Sequence, residues 1–232
     1  MANQPLITSR RRAAVFLDRD DTILDTRGAT ADTPWPGDLV EPARVRLLPG
    51  AAPAIRRLND ADLVVVVVSN QGAVARGTPV TMADRGRGPG GETCPQSSSS
   101  GSGWRPCTLR DVESVNDRMR ELLRREAGAR LDAVYVCPYH PKGTVAPYNV
   151  EHPWRKPAPG MLLAAADYLG LDLGRSWMIG DAERDVEAAL RAGIARERAM
   201  LVGPGFGHGR TIEEAVAIIL RAIAADGNAR RE

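Results

Sequence analysis

An α/β fold, a doubly wound (Rossmann-like) parallel sheet sandwiched by helices, is what this sequence predicts, and three observations predict it. Five short apolar runs alternate with helical patterns along most of the chain. The clearest of these runs are unbroken rather than apolar at every second residue, as strands buried on both faces must be. Three of them stop abruptly at polar residues: 13–17 at Asp18, 63–68 at Ser69 and Asn70, and 176–179 at Gly180 and Asp181. Open parallel sheets bind ligands beyond the carboxyl ends of their strands, so these residues should meet in one crevice.

The elements follow in order. After the strand at 13–17, a helix at 51–59 starts behind Pro49 and Gly50 and leads into the β-branched strand at 63–68. A helix at 109–127 lays Val112, Val115, Met119 and Leu122 along one stripe, which reads as core. A strand at 133–136, a helix at 159–169 opened by Pro159, and a strand at 176–179 come next. A helix at 183–192 closed by Gly193, a strand at 199–202 and a helix at 211–224 complete the series. The stretch 79–107 is rich in Gly, Pro and Ser and lacks apolar periodicity, so it is expected to be a mobile insertion. Frayed ends are expected at 1–12 and 226–232. One domain spanning 1–232, with its core at about 13–224, is the simplest division of the 232 residues.

Composition narrows the function. Hydrophobic residues at 43 % and charged residues at 26 % are globular proportions, and 31 Lys+Arg against 29 Asp+Glu leaves a charge of only +2. That argues against electrostatic capture of nucleic acid or an acidic membrane. The apolar run 63–68 is far short of the roughly 20 residues of a membrane span, and 1–12 has no apolar segment of the secretory kind. A cytoplasmic protein is therefore expected. Cys94, Cys107 and Cys137 are too few and too unevenly placed for a disulfide framework, which leaves thiols or a metal ligand.

Alternate residues of an extended chain point the same way, so Asp18 and Asp20 can face one site while Arg19 points elsewhere. Two carboxylates that close call for a cation, and Mg²⁺ suits an all-oxygen shell of Asp18, Asp181 and a backbone carbonyl. Phosphoryl transfer uses such a set: one carboxylate attacks phosphorus, and the other protonates the leaving alkoxide and then activates water. Ser69 with the amide of Asn70 would hold phosphate oxygens, and Lys156 would add a point charge.

Phe16 to Thr22 (Phe-Leu-Asp-Arg-Asp-Asp-Thr), Ser69-Asn70-Gln71-Gly72, Arg155-Lys156-Pro157 and Gly180 to Asp185 resemble the four ordered motifs of the haloacid dehalogenase (HAD) superfamily. Within it, the chain is similar to the D,D-heptose 1,7-bisphosphate and histidinol-phosphate phosphatases. That similarity includes Val74 to Gly77 (Val-Ala-Arg-Gly), Tyr135 to Pro138 with His140-Pro141, and the run from Arg155 to Met161. The resemblance implies Asp18 as nucleophile and Asp20 as general acid/base whose main-chain carbonyl also meets Mg²⁺. It implies Asp181 as the third metal ligand, Ser69, Asn70 and Lys156 on the phosphoryl group, and Arg155 and Arg76 on the rest of the substrate. Asp185 would position the loop that carries Asp181. Asp21 stands where many relatives have Gly, and reads as a cap.

The spacing between the motifs leaves no room for a folded cap domain, only a flap around 34–42, the insertion and the loop 137–154. In the heptose-bisphosphatase pattern that loop carries zinc. Here Cys137, His140 and His152 are the available ligands, with Tyr139 and Trp154 in the other two places, so the set is incomplete and a zinc-free loop packed by prolines and aromatics is the competing reading. The resemblance implies a Mg²⁺-dependent phosphomonoesterase for a small phosphorylated sugar, with D-glycero-D-manno-heptose 1,7-bisphosphate first and histidinol phosphate second. A noncatalytic phosphate-binding or interaction module is the reading from another class.

Overall fold

The computed structural model describes residues 11–81, 104–203 and 209–228. Five parallel strands form the main sheet: β1 (Ala14–Leu17), β2 (Val64–Asn70), β5 (Ala133–Cys137), β6 (Trp177–Gly180) and β7 (Ala199–Leu201). Their order across the sheet is β5-β2-β1-β6-β7. The chain lays down β1, winds outward through β2 to β5, then returns to the other side of β1 for β6 and β7. That reversal opens a crevice beside β1 at the carboxyl edge. The expected doubly wound α/β sheet is the observed fold.

The unbroken apolar runs have their reason in two cores. Val15, Leu17, Val65, Val67 and Ile179 face one layer with α2 (Ala51–Asp60), α4 (Leu109–Ala127) and α7 (Ile212–Asn228). Their neighbours Ala14, Phe16, Val64, Val66 and Met178 face the other, with α5 (Gly160–Leu169) and α6 (Glu183–Ala192). Both faces of β1 are thus wholly apolar, and all four of its residues are buried. Thr108 and Asp111 start α4 with a reciprocal cap, the Asp111 carboxylate accepting from the Thr108 N–H at 2.8 Å.

Two expectations are corrected. The presumed mobile stretch 79–107 is ordered at both edges: β3 (Pro79–Thr81) and β4 (Trp104–Pro106) pair antiparallel, and Val80 and Cys107 are buried in a third cluster with Val74 and Val112. Three-residue strands carry no periodicity to read, and their pairing depends on a partner remote in sequence. Residues 82–103 lie outside the described residues. At the other end, α7 runs to Asn228, past the fraying expected from 226. Among the described residues nothing folded is inserted as a cap, and no helix is long and apolar enough to cross a membrane.

Candidate active site

Strands β1 and β6 pair side by side, Leu17 opposite Ile179, so the residues that leave them, Asp18 and Asp181, emerge together. The Asp18 N–H donates to the Ile179 carbonyl at 2.9 Å, which extends the strand pairing into the site. Asp185, in the first turn of α6, completes a trio whose ligand oxygens all lie within 4.8 Å of one another. The Asp185 carboxylate reaches back to accept from the Ala182 N–H at 3.1 Å, so it holds the loop carrying Asp181 as well as joining the cluster. It packs so closely on Gly180 that a Cβ there would collide with it.

Lys156 enters this cluster from the loop before α5 and is fully buried. Its Nζ lies 2.7 Å from Asp18 Oδ1 and 2.7 Å from Asp185 Oδ1, and donates to the Val68 carbonyl at 2.7 Å. Asn70, at the end of β2, aims it: Asn70 Oδ1 accepts from the Lys156 N–H (3.0 Å) and Nδ2 donates to the Lys156 carbonyl (2.9 Å). Both ends of that amide are thereby committed to the Lys156 backbone. The expected contact of Asn70 with phosphate is left to its main chain.

Asp20 sits in a second network. Its Oδ1 accepts from Thr26 Oγ1 at 2.6 Å and from the Arg19 guanidinium at 3.1 Å, and its Oδ2 accepts from Gln71 Nε2 at 2.8 Å and Ser69 Oγ at 3.3 Å. Arg19 is fully buried and also reaches Gln71 Oε1 (2.8 Å) and Asn116 Oδ1 on α4 (3.0 Å). Arg19 was expected to point away from the site. It folds back instead, because a guanidinium among apolar side chains must find acceptors. Asp21 has φ of 55°, the left-handed region where a glycine is at ease, and its carboxylate accepts from the Arg27 N–H at 2.9 Å, the capping role expected of it.

Burial pushes the Asp18 carboxyl up to about 7, against the pull of Lys156 and with a further push from Asp185 and Asp20. Burial and Asp185 likewise raise Asp181. At Asp20 burial acts in the same direction but is outweighed by Arg19 and the hydrogen bonds from Thr26, Arg19 and Gln71, so its carboxyl is held below the usual range. Lys156 would be lowered by burial, yet Asp18 and Asp185 hold it above its ordinary value. A carboxylate cluster whose pKa values rise in this way is short of positive charge. Asp181 Oδ1 is buried with no hydrogen-bond partner, Arg184 approaching it only to 3.6 Å. An all-oxygen donor set with one unpartnered oxygen fits a hard divalent cation such as Mg²⁺.

Above the carboxylates a cleft of about 390 Å³ is walled by Asp38, Gly72 and the arginines Arg27, Arg76, Arg155 and Arg184. Arg76 pairs with Asp38 across it, and Arg155 is anchored by a bond from its guanidinium to the Tyr139 carbonyl at 3.0 Å. Pro36 and Gly37 of the expected flap reach the same cleft. Asp18, Asp20, Asp181, Ser69, Asn70 and Lys156 are therefore brought together as expected, with Arg76 and Arg155 on the cleft wall. Sequence reasoning missed Arg19, Gln71, Asn116, Arg27 and Arg184. Asn116 had a signal, a polar residue four after Val112 and three before Met119 on a buried stripe.

Among the described residues the ligand cluster is Asp18, Asp181 and Asp185, and Cys137, His140 and His152 do not gather into another. The His152 ring stacks on Tyr139 with centroids 4.0 Å apart, and its Nδ1 accepts from the Trp154 N–H at 3.1 Å. His140 Nδ1 accepts from the Lys142 N–H at 3.1 Å. One nitrogen of each imidazole is thus used to hold the loop.

Strand-end carboxylates around a buried lysine on a doubly wound sheet define an aspartate-based phosphohydrolase. The HAD-hydrolase-like family model matches residues 153–224. The chain is 39 % identical over 198 residues to the D-glycero-β-D-manno-heptose-1,7-bisphosphate 7-phosphatase of Mesorhizobium japonicum, covering 83 % of this chain and 73 % of the relative. It is 36 % identical to the enzyme of the same name from Rhodopseudomonas palustris, covering 79 % and 81 %. Among solved structures, a HAD-like phosphatase from Mesorhizobium loti is similar at 35 % identity and TM-score 0.64, covering 90 % and 86 %. The D,D-heptose 1,7-bisphosphate phosphatase of B. bronchiseptica, complexed with magnesium and phosphate, is similar at 25 % identity and TM-score 0.59, covering 92 % and 99 %. This chain belongs to the HAD-type heptose-bisphosphate phosphatase family and is a phosphoric monoester hydrolase.

Proposed function

We propose that the chain removes the 7-phosphate of D-glycero-D-manno-heptose 1,7-bisphosphate by way of an aspartyl-phosphate on Asp18. The observation that carries the mechanism is Lys156, buried and 2.7 Å from Asp18. A charge placed there orients one oxygen of Asp18 and leaves the other to attack, and it stabilises the phosphoryl oxygens as negative charge shifts onto them. Mg²⁺, held by Asp18, Asp181 and the main-chain carbonyl of Asp20, would offset the repulsion between anionic nucleophile and anionic substrate. Ser69 and the Asn70 main chain hold oxygens of the phosphoryl group as it passes to Asp18.

Asp20 serves both halves of the reaction. The incoming phosphate raises its pKa, so that it carries a proton to the leaving alkoxide. Having given up that proton, Asp20 is left as the carboxylate that Arg19 stabilises, and it takes a proton from the water that hydrolyses the aspartyl-phosphate. Arg76 and Arg155 bind the phosphate that stays on the sugar.

The arginine-walled cleft and the relatives' named substrate favour a sugar bisphosphate over histidinol phosphate. Phosphate release from a panel of sugar bisphosphates and histidinol phosphate, with Mg²⁺, tests this. The expected result is the highest kcat/KM on the heptose bisphosphate. A higher value on histidinol phosphate would overturn the substrate and leave the mechanism standing.

A further inference from the structure

The carboxylates of the site, Asp18, Asp20, Asp21, Asp181 and Asp185, divide by how they are neutralised. Lys156 serves Asp18 and Asp185, and Arg19 serves Asp20, from positions closed to solvent. Asp181 and Asp21 share Arg27, whose Nη2 lies 2.9 Å from Asp181 Oδ2 and whose Nε lies 3.1 Å from Asp21 Oδ2. The two acids are largely buried, at 4 % and 15 % side-chain exposure, whereas the Arg27 side chain is 59 % exposed. It projects from α1 (Thr26–Thr30), at the edge of the cleft. Arg184 also faces solvent, at 47 % exposure, but stands 3.6 Å from Asp181, so among the described residues Arg27 is the closer of the two cations that can leave Asp181 toward water.

We propose that Arg27 is a tethered counter-ion of the metal site, neutralising Asp181 while no divalent cation is bound and yielding Asp181 to Mg²⁺ when one binds. The proposal rests on Asp181 being a metal ligand. A guanidinium spreads one charge over three nitrogens, while Mg²⁺ concentrates two on a small ion, so the carboxylate exchanges the first for the second. Without Arg27 the metal-free cluster would hold unbalanced buried negative charge, which is costly. With it, the cost is deferred, and Mg²⁺ must displace an ion pair whose arginine is screened by solvent and therefore holds weakly.

The experiment is a calorimetric Mg²⁺ titration of wild type, Arg27→Ala and Asp181→Asn, with melting of each in chelator and in saturating Mg²⁺. Arg27→Ala is expected to bind Mg²⁺ about three- to fivefold more tightly than wild type, the order of an ion pair screened by solvent on one side. In chelator it should melt below wild type, and the gap should close in saturating Mg²⁺. Unchanged or weaker Mg²⁺ binding by Arg27→Ala, or a gap that persists in Mg²⁺, would overturn the counter-ion role. Unchanged binding by Asp181→Asn would instead overturn Asp181 as a ligand. Arg27→Gln, which keeps length and polarity without charge, gives the same readouts should the alanine variant fold poorly.

Discussion

Lys156 reaches Asp18 across 138 residues of sequence, Nζ to Oδ1 at 2.7 Å, with both side chains closed to solvent. The end of the central strand β1 and the loop that follows the edge strand β5 are held together at this contact. Asn70 sets the Lys156 backbone, and Asp185 takes the other side of the ammonium.

Lys156→Ala should therefore fail in two ways at once. Phosphate release should fall by about 100-fold or more, the order seen when one preorganised donor to a transition state is removed. Stability should fall by roughly 3 kcal/mol, because Asp18 and Asp185 are left buried and facing one another. Mg²⁺ should restore part of the melting temperature and none of the turnover. Wild-type melting in chelator would show that the pair adds no stability.

The N-terminus of α4 gives a pH prediction. Burial would raise Asp111, but Arg105 and Thr108 outweigh it and draw its carboxyl down to about 2. Its folded pKa thus lies below the ordinary value of ~3.9, so its contribution is complete above that value and is lost as pH falls toward 2. Arg105 is 40 % exposed, so solvent screening and the cap together leave about 1–2 kcal/mol. Asp111→Asn should lower the melting temperature at pH 7, and the difference should shrink steadily between about pH 5 and pH 2. A difference that does not vary with pH would refute the ionic origin.

The β3–β4 ribbon ends at Thr81 and Trp104, and the two strands need only a tight turn to join them. Replacing 82–103 by Asn-Gly should preserve cooperative melting within a few degrees. Extending the deletion to Pro79 and Cys107 should lower it, since Val80 and Cys107 pack on Val74 and Val112. Equal melting of the two deletions would mean that the ribbon contributes nothing.

His152 and His140 give their Nδ1 atoms to backbone N–H groups, and His152 stacks on Tyr139. Protein purified without chelator is expected to carry well under one zinc per chain, and chelation should not move its melting through this loop. Stoichiometric zinc, lost in both Cys137→Ser and His152→Ala, would contradict that reading.

How much of this was legible in the sequence follows from what each feature depends on. The strands at 13–17 and 63–68 could be read because burial on both faces demands an unbroken apolar run. Asp18, Ser69 and Asp181 could be placed because a parallel sheet gathers its strand ends. Arg19 and Arg27 could not. Both are long side chains whose direction is decided by acceptors remote in sequence, Asn116 on α4 for the first and Asp181 for the second. The short helices α1 and α3 (Ala73–Arg76) are no longer than five residues, too short to show a period.

The central claim is that Asp18 attacks phosphorus, and Asp18→Asn tests it most directly because the amide keeps the shape and cannot act as the nucleophile. The measurement is phosphate released from heptose 1,7-bisphosphate in saturating Mg²⁺, with melting recorded to show that the variant is folded. Turnover below about a hundredth of wild type is the predicted result. A folded Asp18→Asn that releases phosphate faster than that would contradict the account.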